Sequence, residues 1–203
     1  NRLVGSEMCI RDSTKALETD VDNAISMAVD TVRFLKENNR KVFFDAEHFF
    51  DGLKENAEVT LKILDSVVKE GVECFIFCDT NGGTLPHEVT QLLNPIIEKY
   101  PNQEFGVHFQ NDNGCAVTNS LAAVNLGVKH VQGTMNGYGE RTGNADLCTL
   151  LPNLSLKMNL ETVPEKSLEK LTPIANHIAE LVNIAIDSRL SLIHISEPTR
   201  RLV

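Results

Sequence analysis

The chain has 203 residues, a net charge of −9, 42% hydrophobic residues, few aromatics and no tryptophan. An acidic, aromatic-poor surface is poorly suited to nucleic acid, and no apolar run reaches bilayer-spanning length. That leaves a cytoplasmic protein with no nucleic-acid or membrane partner, long enough to bury one core.

The two ends are set aside first. Written as codons, Leu190–Arg200 has a reverse complement that, shifted by one base, reads Leu3-Val-Gly-Ser-Glu-Met-Cys-Ile-Arg-Asp12. Residues 1–13 and 190–203 are therefore expected to be translated sequencing adapter and are left out of fold reasoning. The ends carry +1, so the interior stands at −10. Four cysteines remain there, Cys74, Cys78, Cys115 and Cys148, in no paired CxxC layout, and are read as buried reduced thiols.

From Thr14 onward, strand-like and helix-like stretches alternate. Thr19–Asn38 has a helical apolar face, with Thr19 and Asp22 in a capping arrangement. Arg40–Glu47 reads as a strand ending in acids, and Lys54–Glu70 as an amphipathic helix stopped by Gly71. Glu73–Asp79 is a near-continuous apolar run of the buried parallel type. A tight loop follows, Thr80-Asn-Gly-Gly-Thr-Leu-Pro86, and Pro86 opens a helix to Tyr100 that Pro95 is expected to kink. The strand Glu104–Phe109 runs into Gln110-Asn-Asp112, and a helix spans Cys115–Leu126. Val128–Met135 is the last strand, and the Gly-rich loop Asn136–Gly143 leads to a helix beginning near Asn144. Ser167–Ile186 is a long helix with a kink or break near Pro173.

Strand–helix is thus repeated four times, with polar residues gathered after each strand: Asp45 and Glu47, Asp79 and Thr80, His108 and Gln110, Thr134 and Asn136. Parallel α/β folds place active sites at that end of the sheet. On the third strand, His108 and Gln110 are two apart and share a face, offering an imidazole nitrogen and an amide oxygen to a divalent metal. Taken alone, that pair reads better as a half-buried strand histidine and a solvated neighbour. Four units do not distinguish a barrel from an open doubly wound sheet.

Four segments occur in order: Phe44-Asp-Ala-Glu-His-Phe-Phe-Asp-Gly52, Cys78-Asp-Thr-Asn-Gly-Gly-Thr-Leu-Pro86, His108-x-x-Asn-Asp112 with Asn119-Ser120, and Gln132-Gly-Thr-x-Asn-Gly-Tyr-Gly-Glu-Arg-x-Gly-Asn144. Together they resemble the isopropylmalate/homocitrate synthase family, the citramalate synthases above all, over nearly all of Thr14–Arg189. The resemblance implies a partial TIM (β/α)8 barrel, strands five to eight, over residues 14–160, with 161–189 leading to further C-terminal domains. It implies a Claisen condensation of acetyl-CoA with pyruvate to citramalate and CoA, in a homodimeric parent enzyme, with a divalent metal polarising the keto carbonyl. His108 matches the family's first histidine ligand, and Gln110 stands where a second histidine is usual. Asn144 matches an asparagine at the metal, with capping of the next helix as its plainer role. Glu47 matches a catalytic carboxylate and Thr80 a hydroxyl that holds the keto-acid carboxylate. Asp79 is read as a structural acceptor, and Glu140 with Arg141 as a loop ion pair. With glutamine for histidine, magnesium or manganese is favoured over zinc or cobalt. The alternatives are a 2-isopropylmalate or homocitrate synthase, a related acyl-CoA lyase, or a non-catalytic barrel piece.

Overall fold

The computed structural model describes residues 2–7 and 20–185, which fall into two compact units, residues 1–132 and 133–203. The first unit carries five strands: β1 Arg2–Glu7, β2 Val42–Glu47, β3 Cys74–Asp79, β4 Glu104–Phe109 and β5 His130–Gln132. All pair in parallel and in chain order. Four helices follow the same alternation: α1 Val21–Glu37, α2 Phe49–Lys69, α3 Pro86–Lys99 and α4 Ala116–Asn125. The four neighbouring parallel strands expected from the sequence are β2 to β5. Residues 2–7, set aside in the sequence reading, line up along β2 from Arg2 opposite Val42 to Glu7 opposite Glu47. Physically, β2 offers a row of backbone donors and acceptors on that side, and an extended Leu-Val segment satisfies them.

Strand alternation sorts the sheet into two faces. Phe44, Phe75, Phe77, Phe105 and Phe109 lie on the helix-covered face and are buried, with Phe49 and Phe50 of α2 against them. The other face carries Phe43, Asp45, Cys74, Ile76, Cys78, Gly106, His108, His130 and Gln132, register partners in successive rows. Gly106 is small of necessity: a Cβ there meets Ile76 Cγ1 at 2.8 Å and His130 Cδ2 at 3.1 Å. Asp45 on β2 and Gln132 on β5 hydrogen-bond at 3.0 Å across two intervening strands. Three strand spacings in a flat sheet amount to about 14 Å, so the sheet is strongly curled, concave toward this face, as in barrel strands.

Several boundaries differ from the sequence expectation. Asp20 caps α1, its side chain accepting from Asn23 N at 2.7 Å, because an aspartate at this position reaches a backbone donor directly. Helix α2 begins five residues before Lys54, drawn forward by burial of Phe49 and Phe50. Its backbone leaves helical geometry at Asn56, next to the expected start. Helix α3 continues through Pro95. Strand β5 keeps only His130–Gln132 of the expected Val128–Met135.

The second unit, described by itself, contains a 3₁₀ turn Met135–Gly137, α5 Leu147–Pro152 continuing into a π turn Asn153–Lys157, α6 Glu165–Leu168 and α7 Leu171–Val182. The expected long helix Ser167–Ile186 is broken between α6 and α7, leaving Pro173 in the first turn of α7, where a missing N–H costs nothing. Cys74, Cys78 and Cys148 are buried free thiols and Cys115 a half-buried one. Burial pushes Cys74 up to about 12 and Cys148 to about 11, which leaves both protonated and inert. No helix among the described residues is long and apolar enough to cross a membrane.

Candidate active site at the C-terminal rim of the sheet

Glu47 ends β2, Thr80 follows β3, and His108 and Gln110 lie at the end of β4. All point to the concave face by alternation. The Thr80 hydroxyl donates to Glu47 Oε2 at 2.7 Å and accepts from the His48 amide at 2.7 Å. Its single proton is thus directed at Glu47. His48 stands in the left-handed region at φ 55°, an unusual conformation for a non-glycine residue. The chain there turns sharply from β2 into α2 and presents Glu47 at the rim. Beside it, Asn81 Nδ2 donates to Asp51 Oδ2 at 2.7 Å.

His108 Nδ1 lies 2.7 Å from Gln132 Oε1, and Gln132 Nε2 donates to Asp45 Oδ1 at 3.0 Å. Burial raises the Asp45 carboxyl above the usual aspartate range; the Gln132 N–H offsets part of this, and nearby Glu47 adds to the rise. Gln110 is 8% exposed, and its Oε1 is buried without a hydrogen-bond partner among the described residues. An uncompensated buried amide oxygen is costly in an apo protein and is the kind of atom a hard cation satisfies. An imidazole nitrogen and an amide oxygen are both donor types that a divalent metal takes. Among the described residues, no group of three or more His, Cys, Asp or Glu side chains gathers at one point.

Asp79 turns to the opposite, helix-covered face. Its Oδ2 accepts from Thr84 N at 3.0 Å and braces the Thr80–Pro86 loop, the structural part expected of it. Its Oδ1 has no hydrogen-bond partner among the described residues, and burial raises its pKa despite the Thr84 and Gly83 amides. A raised folded pKa contributes stability fully below the ordinary value of 3.8, lost as pH rises through the folded value. Asp79→Asn keeps an oxygen for Thr84 N and removes the buried charge. Its stability relative to the parent is expected to rise between pH 4 and pH 7, read from urea midpoints; parallel curves would show that Asp79 does not titrate this way.

Within the second unit, Asn144 Nδ2 donates to Tyr138 O at 3.2 Å and Asn144 N to Gly137 O at 2.9 Å. Asn144 does not cap α5; Asp146 does, accepting from Cys148 N at 2.9 Å, since it lies one residue before the helix. Gly143, at φ 95°, passes so close to Gly137 O that no side chain fits there. The Glu140–Arg141 pair is exposed, at 3.7 Å, and such pairs contribute little. The sequence reading missed the Asp45–Gln132–His108 chain. Gln132 stood in a quoted motif, but only strand register puts it opposite His108.

A curled parallel sheet with its polar side chains at the C-terminal rim defines an α/β domain of the TIM-barrel class. The chain matches the HMGL-like family model over residues 5–178 and belongs to that family. It is 46% identical over 173 residues to an (R)-citramalate synthase of Aquifex aeolicus, covering 85% of this chain and 33% of that protein. It is 41% identical over 171 residues to the (R)-citramalate synthase of Geobacter sulfurreducens, covering 84% and 32%. 2-Isopropylmalate and homocitrate synthases match at 28–35%. The chain thus spans about a third of the length of the curated citramalate synthases it matches. Its backbone superposes on an HMG-CoA lyase of Bacillus subtilis with a TM-score of 0.81 at 19% identity, over 96% of this chain and 67% of that one, a likeness of fold.

Proposed function

We propose that the chain is part of the catalytic barrel of a citramalate synthase, strands five to eight being β2 to β5. In the whole enzyme it takes part in condensing acetyl-CoA with pyruvate to citramalate and CoA, in isoleucine biosynthesis. The observation that carries this reading is the Gln110 oxygen on the concave face with His108, buried and without a hydrogen-bond partner among the described residues. His108 and Gln110 would help to hold a divalent metal, magnesium or manganese by preference; the role of Asn144 as a metal ligand stays an implication of the resemblance. The metal supplies Lewis acidity toward the keto acid. Glu47 holds or moves a proton at its carboxylate, whose Oε2 accepts the Thr80 hydrogen bond. Thr80 and the loop braced by Asp79 orient the keto acid. Pyruvate is favoured over bulkier keto acids because the citramalate synthases are the more similar relatives. The parent is proposed to be a cytoplasmic homodimer. The resemblance places a further aspartate ligand in a part of the relatives outside this chain's span, so the 203-residue chain alone is expected to make no citramalate.

The test is formation of citramalate from acetyl-CoA by the intact parent enzyme with pyruvate, 2-ketoisovalerate or 2-oxoglutarate. Pyruvate is expected to be preferred at least about tenfold, the scale set by one or two methylenes in a pocket. A preference for either other acid would reassign the synthase. Pyruvate-dependent product from the 203-residue chain alone would refute the need for the rest.

A further inference from the structure

The loop between β3 and α3, residues 80–85, carries Thr80 at one end and two consecutive glycines, Gly82 and Gly83, in its middle. Such a loop has little stiffness of its own, so its position is set by what holds it. Thr84 is buried and is held through both of its backbone groups. Its N–H donates to Asp79 Oδ2 at 3.0 Å. Its carbonyl accepts from Asn113 Nδ2 at 2.8 Å and from Asn119 Nδ2 at 2.7 Å. A carbonyl only accepts, so the orientation of both amides is fixed, and both lone pairs of the oxygen are engaged. The two asparagines come from the next unit, Asn113 from the turn after β4 and Asn119 from α4. The two turns also meet through their backbones. Asn113 N donates to Gly82 O at 3.1 Å, and Gln110 N to Asp79 O at 3.3 Å. A Cβ on Gly82 would lie 2.8 Å from Asp112 N.

For stability alone, an apolar residue would suit position 119 better. Asn119 is fully buried, and its Oδ1 has no hydrogen-bond partner among the described residues. An apolar side chain of the same shape avoids that desolvation cost. The bond that Asn119 does make reaches 35 residues back, to the loop that carries Thr80. We infer that Asn119, helped by Asn113, is a positioning residue: it clamps the β3–α3 loop to the β4–α4 turn, so that Thr80 and Gln110 keep a fixed separation at the rim. What Thr80 and Gln110 do there rests on the function proposed above; the clamp does not. A keto acid held at its carboxylate by Thr80 and through a metal by Gln110 is gripped from two loops at once. A shift of about 1 Å between such groups costs on the order of 100-fold in rate.

The experiment has two arms. Amide hydrogen exchange compares the 203-residue chain with Asn119→Leu, which keeps the branched shape and removes the amide. Asn113 N and Thr84 N are expected to exchange about tenfold faster, the equivalent of one hydrogen bond, while the amides of Phe75 and Phe77 within β3 keep their protection. Unchanged exchange at Asn113 and Thr84, or a uniform rise that includes β3, overturns the clamp. Asn119→Ala, smaller and well suited to a helix, takes the place of the leucine variant if that does not fold. In the intact parent, Asn119→Leu is expected to lower kcat/KM for pyruvate about 10- to 100-fold, with KM for acetyl-CoA unchanged. In a Thr80→Val background the same substitution is expected to cost less than about twofold, because the hydroxyl it positions is gone. Equal losses in the two backgrounds would make Asn119 a packing residue and overturn the inference. A parent that condenses acetyl-CoA with no keto acid removes the functional reading, and the exchange arm still decides the clamp.

Discussion

Replacing Phe77 by alanine is expected to cost about 3–5 kcal/mol of folding stability, the range for deleting a fully buried aromatic ring. Phe77 is fully buried at the middle of the helix-covered face. Phe49 packs on it with centroids 4.6 Å apart, Phe105 at 4.9 Å and Phe75 at 5.5 Å. The ring therefore joins three consecutive strand–helix units: Phe49 opens α2, Phe75 shares β3, and Phe105 belongs to β4. Its neighbours are held by the sheet ladder on one side and by α2 on the other, so they cannot collapse into the space left behind. For a domain of this size the cost corresponds to a melting point lowered by roughly 10 °C. Phe43→Ala, on the concave face and only half-buried, is the control and should cost much less. Thermal or urea unfolding of both variants decides it. Equal losses, or a Phe77→Ala melting point within about 2 °C of the parent, would show that the aromatic cluster does not hold the three units together.

The strands that carry this cluster were the most legible part of the chain. All six residues of Cys74–Asp79 are buried, because a parallel strand covered on both faces has no polar side to display. The run of apolar residues announced that directly. Shorter-range geometry was less visible. Phe49 and Phe50, which lay between the expected strand and the expected helix, became the first turn of α2 after the left-handed turn at His48, with both rings buried. Strand β5 is short: Gly127 at φ 99° delays its start, and past its end a Cβ on Gly133 would lie 2.6 Å from Ala145 O.

At the site, the residue types were readable and their partners were not. Glu47 and Thr80 were both singled out, and their mutual hydrogen bond spans 33 residues. The Asp45–Gln132 bond spans 87 and depends on the curl of the sheet, which no local pattern encodes. Helix ends obeyed the nearest side chain able to reach a free amide. Asp20 caps α1, while Thr19 lies outside the described residues, and Asp146 rather than Asn144 caps α5.

Gln110 is where function and stability are expected to pull against each other. Its Oε1 is buried and unpartnered among the described residues, and such an oxygen costs about 1–3 kcal/mol. Gln110→Met removes the polar atom while nearly keeping the volume. In the metal-free 203-residue chain it should therefore stabilise the fold by about 1 kcal/mol or more. If the oxygen is a metal donor, the same change in the intact parent should weaken magnesium or manganese binding about 10- to 100-fold, the scale of one polar contact to a charged group. Gln110→His should act differently. It restores a nitrogen donor on the same strand face, so zinc and cobalt should gain affinity while magnesium and manganese lose it. Isothermal metal titration of the parent, Gln110→Met and Gln110→His, together with urea unfolding of the metal-free chains, gives two independent readings. Stabilisation with unchanged metal binding would make Gln110 a tolerated packing flaw. Weakened metal binding without stabilisation would mean the oxygen already had a partner in the apo state. Only both effects together identify the oxygen as a donor kept unpaired for its cation.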